Sequence, residues 1–375
     1  MLHVFPTFAI GGAQRRFAQI ANSGEAGFEH HCLAIDGICE AKSLLNAQAN
    51  VKLVEPASRD GNFLARTSRY RQEIAGLGPD LLITYNWGAI EWAFANLSLG
   101  IPHIHMEDGF GREEANHQLL RRVWFRRLVL AKSFAVVVPS QTLETIARKI
   151  WKLAPARVRF IPNGIVIPAQ SALDAGVGQR RASLGLPVQG VIIGWVGALR
   201  SEKNVPRLLR AFAAIKDKAT LVLVGDGGSR AETMREIEGL NLSEKVHLLG
   251  MRHDIPELLA AFDVLALTSD TEQMPISVLE GMAAGLPIAS VDVGDVARMT
   301  APENRRFIVE RTESALGEAL AELIASPVIR REIGAANRAH ASKHYREEQM
   351  IKAHLGLLRE AVANDQRKKA QRLAS

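Results

Sequence analysis

Cysteine is scarce in this chain of 375 residues, and long apolar runs are absent from it. The two cysteines, Cys32 and Cys39, do not make a disulfide framework, and so low a number is typical of a reducing cytosol. No apolar run approaches membrane-spanning length, and no cationic leader with an apolar stretch behind it opens the sequence. We therefore expect a cytoplasmic protein, either soluble or held peripherally on the inner face of the cytoplasmic membrane.

The glycine spacing of a dinucleotide fingerprint, G-x-G-x-x-G, is also missing. The glycine-rich turn at 221–230, LVLVGDGGSR, has a different spacing, which disfavours an NAD-dependent oxidoreductase. The formal net charge of +6 favours anionic partners such as nucleotides or anionic lipid. Nucleic acid is disfavoured as a partner, because no recognised nucleic-acid module accompanies the basic charge.

The length of the chain predicts two domains, since it exceeds what one ordinary core accommodates. Short strands alternate with helical stretches in two series, which predicts an α/β fold with parallel sheets and right-handed crossovers. Between the series, residues 168–190 are rich in Ala, Gly, Gln and Ser, and we interpret them as a linker. The predicted strands are 2–8, 30–36, 51–56, 80–86, 102–107, 135–140, 158–165, 191–199, 219–227, 245–251, 263–269, 288–293 and 305–310.

The most informative segment is 263–293, DVLALTSDTEQMPISVLEGMAAGLPIASVDV. Two apolar strands enclose a short helix that begins near Pro275 and ends before Gly285, where proline and glycine are typical helix punctuation. Ligands of parallel α/β sheets bind beyond the carboxyl ends of the strands, which places Glu272 at a ligand site. Glu280 lies further along the same helix, and the backbone N–H groups at the helix start favour an anion.

This segment resembles the E-x7-E region of the retaining GT4-type glycosyltransferases with the GT-B fold, a large bacterial family of cell-surface polysaccharide enzymes. The family text is close to EGFPxxxLEAMAxGxPVVA, and this chain reads EQMPISVLEGMAAGLPIAS at 272–290. The resemblance implies two Rossmann-like parallel-sheet domains with a cleft between them and a C-terminal helix that crosses back. The corresponding predicted boundaries are 1–167 for the acceptor-side domain, 168–340 for the nucleotide-sugar domain, and 341–375 for the returning helix with its basic tail.

The resemblance also implies a set of donor-binding residues. Glu280 would bind the ribose hydroxyls, Met251 and Arg252 would flank the base, and the Gly11–Gly12 loop would face the diphosphate and the transferring sugar. Gln273 and Met274 stand where the family has Gly-Phe, in a loop whose amides would contact sugar hydroxyls. The predicted donor-binding residues are Gly11, Gly12, Gly197, Met251, Arg252, Gln273, Met274, Pro275, Ile276 and Glu280.

Cations near a strand end suit a diphosphate leaving group, since they stabilise the negative charge that develops on it. The sequence VGALRSEKN at 196–204 resembles the family's GRLxxEKG, which assigns this role to Lys203. Ala198 occupies the position of the family arginine, and Arg200 is the nearby substitute. Glu272 would face the donor sugar.

The segment IPHIHMEDGFGREE resembles a family segment in which a histidine before glycine lies near the reacting carbon and the acceptor. Asp108 occupies that position, and it could accept the proton of the acceptor hydroxyl directly or through the leaving phosphate. His105 is the competing candidate. A metal site at His103, His105 and Glu107 is an alternative, but no distant ligand is evident and the family generally needs no metal, so we expect no cofactor.

Residues 117–132, HQLLRRVWFRRLVLAK, mix arginines with Trp124, Phe125 and leucines, as in a basic amphipathic helix. Docking on an anionic membrane near a lipid-linked acceptor is one interpretation, and an ordinary surface helix whose arginine stems cover the core is the other. The combined prediction is a retaining glycosyltransferase that uses a nucleotide diphosphate sugar and a lipid-linked, oligosaccharide or polysaccharide acceptor. The alternatives are a GT-B nucleotide-sugar epimerase and a catalytically inactive GT-B scaffold, which the absent family arginine at Ala198 favours.

Overall fold

A computed structural model describes residues 1–24, 27–56, 60–114, 117–170 and 176–374. The chain divides into two compact units, the first made of residues 1–164 with 347–375 and the second of 165–346. The division at 164/165 lies three residues before the predicted boundary at 167/168, and the second at 346/347 lies six residues after the predicted 340/341. The later position has a simple cause, because one helix runs without interruption from Pro327 to His344.

The first unit contains a seven-stranded, all-parallel sheet in the order β3-β2-β1-β4-β5-β6-β7. Its strands are β1 (Leu2–Phe5), β2 (His30–Ala34), β3 (Val51–Val54), β4 (Leu82–Tyr85), β5 (His103–Met106), β6 (Ala135–Val138) and β7 (Val158–Phe160). Its α-helices are α1 (Gly12–Asn22), α2 (Phe63–Leu77), α3 (Ile90–Asn96), α4 (Leu120–Leu130), α5 (Gln141–Lys149) and the terminal α14 (Glu347–Ala374).

The second unit contains a six-stranded, all-parallel sheet in the order β10-β9-β8-β11-β12-β13. Its strands are β8 (Val191–Val196), β9 (Ala219–Val224), β10 (Val246–Leu248), β11 (Val264–Leu267), β12 (Ile288–Val291) and β13 (Ile308–Val309). Its α-helices are α6 (Val177–Ser183), α7 (Val205–Ala213), α8 (Arg230–Gly239), α9 (Ile255–Leu259), α10 (Ile276–Ala283), α11 (Val296–Met299), α12 (Glu313–Ala325) and α13 (Pro327–His344). Short 3-10 turns lie at Glu40–Leu44, Trp87–Ala89, Arg112–Glu114, Pro155–Arg157, Ser201–Lys203 and Pro302–Phe307.

All thirteen strands fall within the segments predicted from sequence, and both sheets have helices on their two faces, as predicted for Rossmann-like domains. Successive side chains of a strand point to opposite faces, so each sheet buries two apolar surfaces. In β1, Leu2 and Val4 pack with Ile74 of α2, whereas Phe5 packs with Phe17 of α1. The central strands β1, β4, β5 and β6 are buried at every position, because neither face of the sheet meets water there.

The terminal helix α14 packs on the first sheet, and its Met350, Leu355, Leu358 and Ala361 are buried in the core that holds α1. It begins at Glu347, after α13 has ended, and it continues to Ala374 through the basic tail. The described part of the chain contains no helix long and apolar enough to cross a membrane.

The interpretation of 168–190 as a linker is wrong for part of that segment. Residues 177–183 form α6, while 171–175 lie outside the described residues. Arg181 is buried in the second unit, where it donates to the carbonyl oxygens of Ala261 and Gly190 and pairs with Asp263 at 2.6 Å. These contacts of Arg181 anchor residues 177–183 to the second unit, although the polar composition of 168–190 resembles that of a loop.

Candidate functional site

Each sheet has a topological switch point, where the strand order reverses and loops on the two sides diverge. In the first unit this point lies between β1 and β4, and in the second it lies between β8 and β11. Such points are the usual ligand sites of open α/β sheets, because the diverging loops leave a crevice beyond the strand ends. The predicted residues Gly11 and Gly12 follow β1, Lys203 follows β8, and Glu272 follows β11.

Lys203 and Glu272 lie in contact at the switch point of the second unit. The Lys203 ammonium forms an ion pair with Glu272 Oε1, and the hydroxyl of Ser269 donates to the same oxygen at 2.8 Å. The two side chains are 25% and 12% exposed, so solvent still reaches both. The structure therefore joins a predicted cation to a predicted sugar-side carboxylate, 69 positions apart in the sequence.

A second set of polar contacts fastens the same two loops. Asn204 caps α7 by accepting from the Arg207 N–H at 3.2 Å, and its amide donates to both oxygens of Asp270 at 3.1 Å. Arg207 pairs with Asp270 at 2.8 Å and donates to the carbonyl oxygen of Thr268. Thr268 donates in return to the Lys203 carbonyl at 3.0 Å. These contacts fix the loop that follows β8 and the loop that follows β11 relative to each other.

The glycines of the turn after β9 permit a close approach to the loop that carries Lys203. A Cβ on Gly225 would lie 1.8 Å from the Gly197 carbonyl oxygen, and a Cβ on Gly227 would lie 2.5 Å from that of Leu199. The Leu199 N–H donates to the Asp226 carbonyl at 2.9 Å across this contact. The sequence predicted only a tight turn here, and the structure shows a backbone support for the loop that follows β8.

The helix α10 begins where predicted, with Pro275 at its N-cap, and ends before Gly285. Gln273 and Met274 are buried beside it, while Ile276 and Glu280 are partly exposed. Gly294, which follows β12 with a φ of +56°, packs against this loop, where a Cβ would lie 2.4 Å from the Glu272 carbonyl oxygen. A side chain at position 294 would therefore displace Glu272.

Three further predicted residues lie at the same edge of the second sheet, and their side chains differ in exposure and in ion pairing. Met251 is 66% exposed, and it follows Gly250, whose carbonyl accepts from the Gly225 N–H at 2.8 Å. Arg252 pairs with Asp254, and the hydrogen bond to that carboxylate raises the pKa of the Arg252 guanidinium. Arg200 is 62% exposed and 4.0 Å from Glu202, so it forms only a loose surface pair.

In the first unit, Gly11 is the N-cap of α1 and Gly12 is its first residue. Gly12 is exposed, and the helix begins within the predicted Gly11–Gly12 loop. The side-chain amide of Gln14 donates to the Thr7 carbonyl at 2.7 Å, and this hydrogen bond ties the start of α1 to the loop that follows β1. The first turn of α1 holds no acidic residue, so its N–H groups can face an anion.

Asp108 lies just beyond β5 in a bidentate ion pair with Arg16 of α1. The second of the two hydrogen bonds, Arg16 Nη2 to Asp108 Oδ2, measures 2.9 Å, and the Asp108 N–H donates to Asn86 Oδ1 at 2.7 Å. Arg16 is 3% exposed and Asp108 is 18% exposed. Burial acts to lower the pKa of Arg16, but the charge of Asp108 and the hydrogen bond to it outweigh burial, so the pKa is raised.

His105, the competing candidate, has no exposed surface and belongs to a buried polar chain. Thr84 Oγ1 lies 2.8 Å from both His105 Nδ1 and His103 Nε2, and Ser133 Oγ lies 2.8 Å from His103 Nδ1. His105 Nε2 lies 3.5 Å from Glu107 Oε2. Burial, and then the neighbouring His105, lower the pKa of His103 to about 3. Unlike Asp108, His105 does not reach the surface of the unit.

The basic helix 117–132 differs from its predicted form. Arg126 is wholly buried, where it pairs with Glu114 at 3.0 Å and its guanidinium lies over the rings of Trp87, Phe110 and Trp151. Under the membrane-docking interpretation Arg126 therefore makes no contact with lipid, because the polar partner and the aromatic rings hold it in the core. Arg122 is 14% exposed and pairs with Glu113 and Glu114. The exposed face of α4 carries instead Leu120, Arg121, Trp124 and Leu128.

The histidines and acids of the first unit do not assemble a metal centre in the described ranges. Throughout those ranges, no three His, Cys, Asp or Glu side chains are grouped so that they could hold a metal ion. His103 and His105 share the Thr84 hydroxyl as a hydrogen-bonding partner within the core instead, and the Glu107 carboxylate lies 3.5 Å from His105 Nε2.

Two family models match the chain, one for each unit. The model described as "Glycosyl transferase 4-like domain" matches residues 11–164, and "Glycosyl transferases group 1" matches residues 178–340. Together they account for most of the chain and include both switch points. This chain belongs to the group 1 glycosyltransferases of the GT-B fold.

Relatives of this glycosyltransferase are bacterial. EpsF of Bacillus subtilis (strain 168), named as a glycosyltransferase, is 28% identical over 302 residues, which are 76% of this chain and 77% of EpsF. The UDP-Gal:alpha-D-GlcNAc-diphosphoundecaprenol alpha-1,3-galactosyltransferase of Escherichia coli is 27% identical over 56% of this chain and 57% of that enzyme. Both relatives are named as glycosyltransferases, and the name of the Escherichia coli enzyme gives UDP-Gal as its donor.

Solved structures confirm the fold of this glycosyltransferase. The structure of Anabaena HepE in complex with UDP-glucose superposes with a TM-score of 0.80 at 20% identity, covering 96% of this chain and 99% of HepE. WaaG, a glycosyltransferase involved in lipopolysaccharide biosynthesis, gives a TM-score of 0.70 at 19% identity, covering 94% and 98%. At such identities the similarity establishes the GT-B fold alone.

The sequence analysis missed several residues that shape the glycosyltransferase site. Arg16, Asn204, Arg207 and Asp270 make the contacts that fix Asp108 and the Lys203 loop, but none was predicted. For Arg16 a signal exists, since it shares a helical face with the apolar Ala13, Phe17 and Ile20 and an arginine there needs a buried partner.

Proposed function

We propose that the protein is a retaining glycosyltransferase that moves a sugar from a nucleotide diphosphate sugar to a hydroxyl of a lipid-linked or polysaccharide precursor. The observation that carries the proposal is the Lys203–Glu272 pair at the switch point of the second sheet, beside α10 with its partly exposed Glu280. A cation, a helix N-terminus and a carboxylate in one place match the diphosphate, its oxygens and the ribose of such a donor.

Each group has a chemical role in this proposal. The bond between the anomeric carbon and the diphosphate oxygen breaks, and Lys203 stabilises the negative charge that grows on that oxygen. Glu280 accepts hydrogen bonds from the two ribose hydroxyls. Glu272, once the diphosphate competes for Lys203, becomes available to the hydroxyls of the donor sugar. Met251 and Arg252 border the base.

Retention follows if the acceptor oxygen bonds to the anomeric carbon on the face from which the diphosphate departs. The proton of the acceptor hydroxyl then passes to the departing phosphate oxygen, so the charges balance without a covalent enzyme intermediate. Asp108 accepts a hydrogen bond from that hydroxyl and orients it. Lys203, with Arg200 as a second cation, supplies the charge that a metal would otherwise supply, so we propose transfer without a metal cofactor.

The acceptor class rests on two observations. The Escherichia coli relative is named for a diphosphoundecaprenol acceptor. The exposed Leu120, Trp124 and Leu128 of α4 form an apolar stripe next to Arg121, which suits the surface of an anionic membrane in which such an acceptor resides. The proposed enzyme is accordingly a peripheral protein of the cytoplasmic membrane face.

The test begins with nucleotide binding. Calorimetry with UDP, GDP and ADP should identify one preferred base, and UDP is the first probe because HepE was solved with UDP and with UDP-glucose. The matching nucleotide sugars are then supplied with a synthetic lipid diphosphate sugar, with and without EDTA, and the anomeric configuration of the product is read by NMR. We expect a retained configuration and a rate that EDTA does not change.

Other results would select another function. Epimerised donor without any product would indicate the epimerase, and the absence of binding to all three nucleotides would indicate an inactive scaffold. An inverted product would overturn the retaining assignment while leaving the transferase intact.

A further inference from the structure

Asp108 does not stand alone, since Arg16 occupies both of its carboxylate oxygens. The guanidinium spans the carboxylate with two parallel hydrogen bonds, the geometry that fixes a carboxylate most firmly. Arg16 also donates to Asn163 Oδ1 at 3.1 Å, so three segments of the first unit meet at one side chain. Asn86 accepts from the Asp108 backbone N–H and holds the residue from the other side.

This pairing changes what the carboxylate can do. Each oxygen keeps lone-pair capacity, so Asp108 can still accept a hydrogen bond from a ligand hydroxyl. The pair as a whole carries no net charge. An unpaired carboxylate would repel the negative charge that the proposed reaction develops on the leaving diphosphate, whereas a neutralised one would not.

We propose that Arg16 is a positioning residue for glycosyl transfer, which neutralises Asp108 and orients it as a fixed hydrogen-bond acceptor for the attacking hydroxyl. The inference rests on the proposed function. By the resemblance, a histidine stands at this position in the family, whereas this chain places there a carboxylate whose charge Arg16 neutralises. Asp108 then orients the hydroxyl, and its proton leaves with the diphosphate.

The position of Arg16 on α1 extends its influence. The helix starts at the Gly11–Gly12 loop, and Gln19 on its next turn donates to the Gly164 carbonyl at 3.1 Å. The helix α1 therefore connects the glycine loop with the Asp108 carboxylate and with Asn163 and Gly164, where the chain leaves the first unit. A substitution at position 16 should disturb the orientation of Asp108 before it disturbs the glycine loop, because α1 keeps its apolar contacts through Phe17 and Ile20.

The experiment is a double-mutant cycle of Arg16→Gln, Asp108→Asn and the combined variant, with Arg16→Lys added. Arg66→Gln is the matched control, because Arg66 makes a bidentate pair with Glu91 in the same unit, at 3.0 and 2.8 Å. For each variant, kcat and the KM values of donor and acceptor are measured, together with thermal unfolding and the Kd of the nucleotide diphosphate.

We expect Arg16→Gln to lower kcat about tenfold or more, with an unchanged nucleotide Kd, and Arg16→Lys to recover part of the loss. Since Arg16 acts through Asp108, adding Arg16→Gln to Asp108→Asn should cost no further activity. Arg66→Gln should keep wild-type kinetics. If Arg16→Gln alone fails to fold, the Lys variant and the neutral double variant carry the test.

Additive losses in the cycle would overturn the inference, and so would a wild-type kcat for Arg16→Gln. Kinetic losses in Arg66→Gln equal to those in Arg16→Gln would reduce Arg16 to a stabilising residue and overturn it as well. These results leave the proposed function standing. A wild-type protein that neither binds a nucleotide diphosphate nor transfers sugar would overturn the proposed function, and the inference with it.

Discussion

The two units share a strand order around their switch points, 3-2-1-4-5-6 in each unit's own count, but they hold charged groups there in different ways. In the second unit, Lys203–Glu272 and Arg207–Asp270 join two loops and remain partly exposed. In the first unit, Arg16 and Arg126 are almost wholly buried, and so is Glu114, the partner of Arg126, while Asp108 is 18% exposed.

Burial decides which of these pairs a ligand can open. A pair that solvent reaches is held more weakly than a fully buried one, so an incoming diphosphate can take Lys203 from Glu272 more easily. Removing one partner of a buried pair costs about 3–5 kcal/mol, because the remaining charge is left without compensation. The second unit is therefore suited to exchanging charged partners during donor binding, and the first unit to holding fixed groups.

The largest effect should come from the fixed carboxylate. We predict that Asp108→Asn lowers transfer by about 10²-fold or more, because the attacking hydroxyl loses the charged acceptor that orients it. The nucleotide Kd, measured by calorimetry, should stay near the wild-type value. His105→Ala should lower transfer less, because His105 has no exposed surface. The reverse ranking would move the assignment to His105 and its buried chain.

The exchangeable cation should come next. We predict that Lys203→Ala lowers kcat by roughly 10²-fold, more than it weakens donor binding, because the charge on the phosphate is greatest in the transition state. Arg200, exposed and loosely paired, supplies the control. A wild-type kcat for Arg200→Ala would show that one cation suffices. Equal losses in both variants would mean that Arg200 takes the place of the arginine absent at Ala198.

A smaller effect should follow from the ribose contact. Glu280→Ala should weaken nucleotide binding by about 1.5–3 kcal/mol, the value of charge-assisted hydrogen bonds, which is roughly a 10- to 150-fold rise in Kd. The fold should survive, because the side chain is only partly buried. Calorimetry is again the measurement, and an unchanged Kd would remove Glu280 from the ribose site.

The sequence predicted the second unit more completely than the first. The strands and the helix α10 could be predicted, because each depends on a short continuous motif, and the same motifs put Lys203 and Glu272 beyond the ends of their strands. The Arg16–Asp108 pair joins residues 92 positions apart, and no local pattern specifies such a partner. Segment 177–183 was misread for the same reason, since the bonds that anchor Arg181 come from residues as distant as Asp263.

For residues 117–132 the error is of another kind, because composition predicted the same surface position for every arginine of the helix. An arginine on an amphipathic helix usually reaches water through its long stem, but Arg126 meets Glu114 and three aromatic rings in the core. Periodicity places Arg122, Arg126 and Val129 on one face, yet it cannot tell which face is buried when both carry arginine and apolar residues.

Acid should destabilise the first unit more than the second, because the buried histidines whose pKa is lowered by burial, His3, His30, His103 and His354 among the described residues, all belong to the first. Burial lowers the pKa of His30 to about 4 and of His103 to about 3, so the unfolded state binds more protons below the ordinary value near 6.5. Stability is therefore lost as pH falls from about 6.5, by about 1.4 kcal/mol for each such histidine at about pH 5.5.

Hydrogen exchange at about pH 7.5 and about pH 5.5, corrected for intrinsic rates, would test this prediction. Amides of β1, β4 and β5 should lose protection at the lower pH, while those of β8, β9 and β11 keep it. Equal losses in the two sheets would contradict the role of the buried histidines.

The smallest effect should be the attachment of α4 to lipid. Arg126 is buried and Arg122 is largely covered, so the contact must come from Leu120, Trp124 and Leu128 with Arg121 beside them. One basic side chain near an anionic surface contributes about 1 kcal/mol, and the apolar stripe adds the burial of three side chains. We therefore predict weak, salt-sensitive sedimentation with vesicles rich in phosphatidylglycerol and none with phosphatidylcholine alone.

Trp124→Ser with Arg121→Gln should abolish this sedimentation and leave transfer to a soluble acceptor analogue intact. Leu64→Ser, which removes a similarly exposed leucine from α2, is the matched control and should bind like the wild type. A wild type that never sediments at low salt would make α4 an ordinary surface helix and remove one of the two supports for a lipid-linked acceptor.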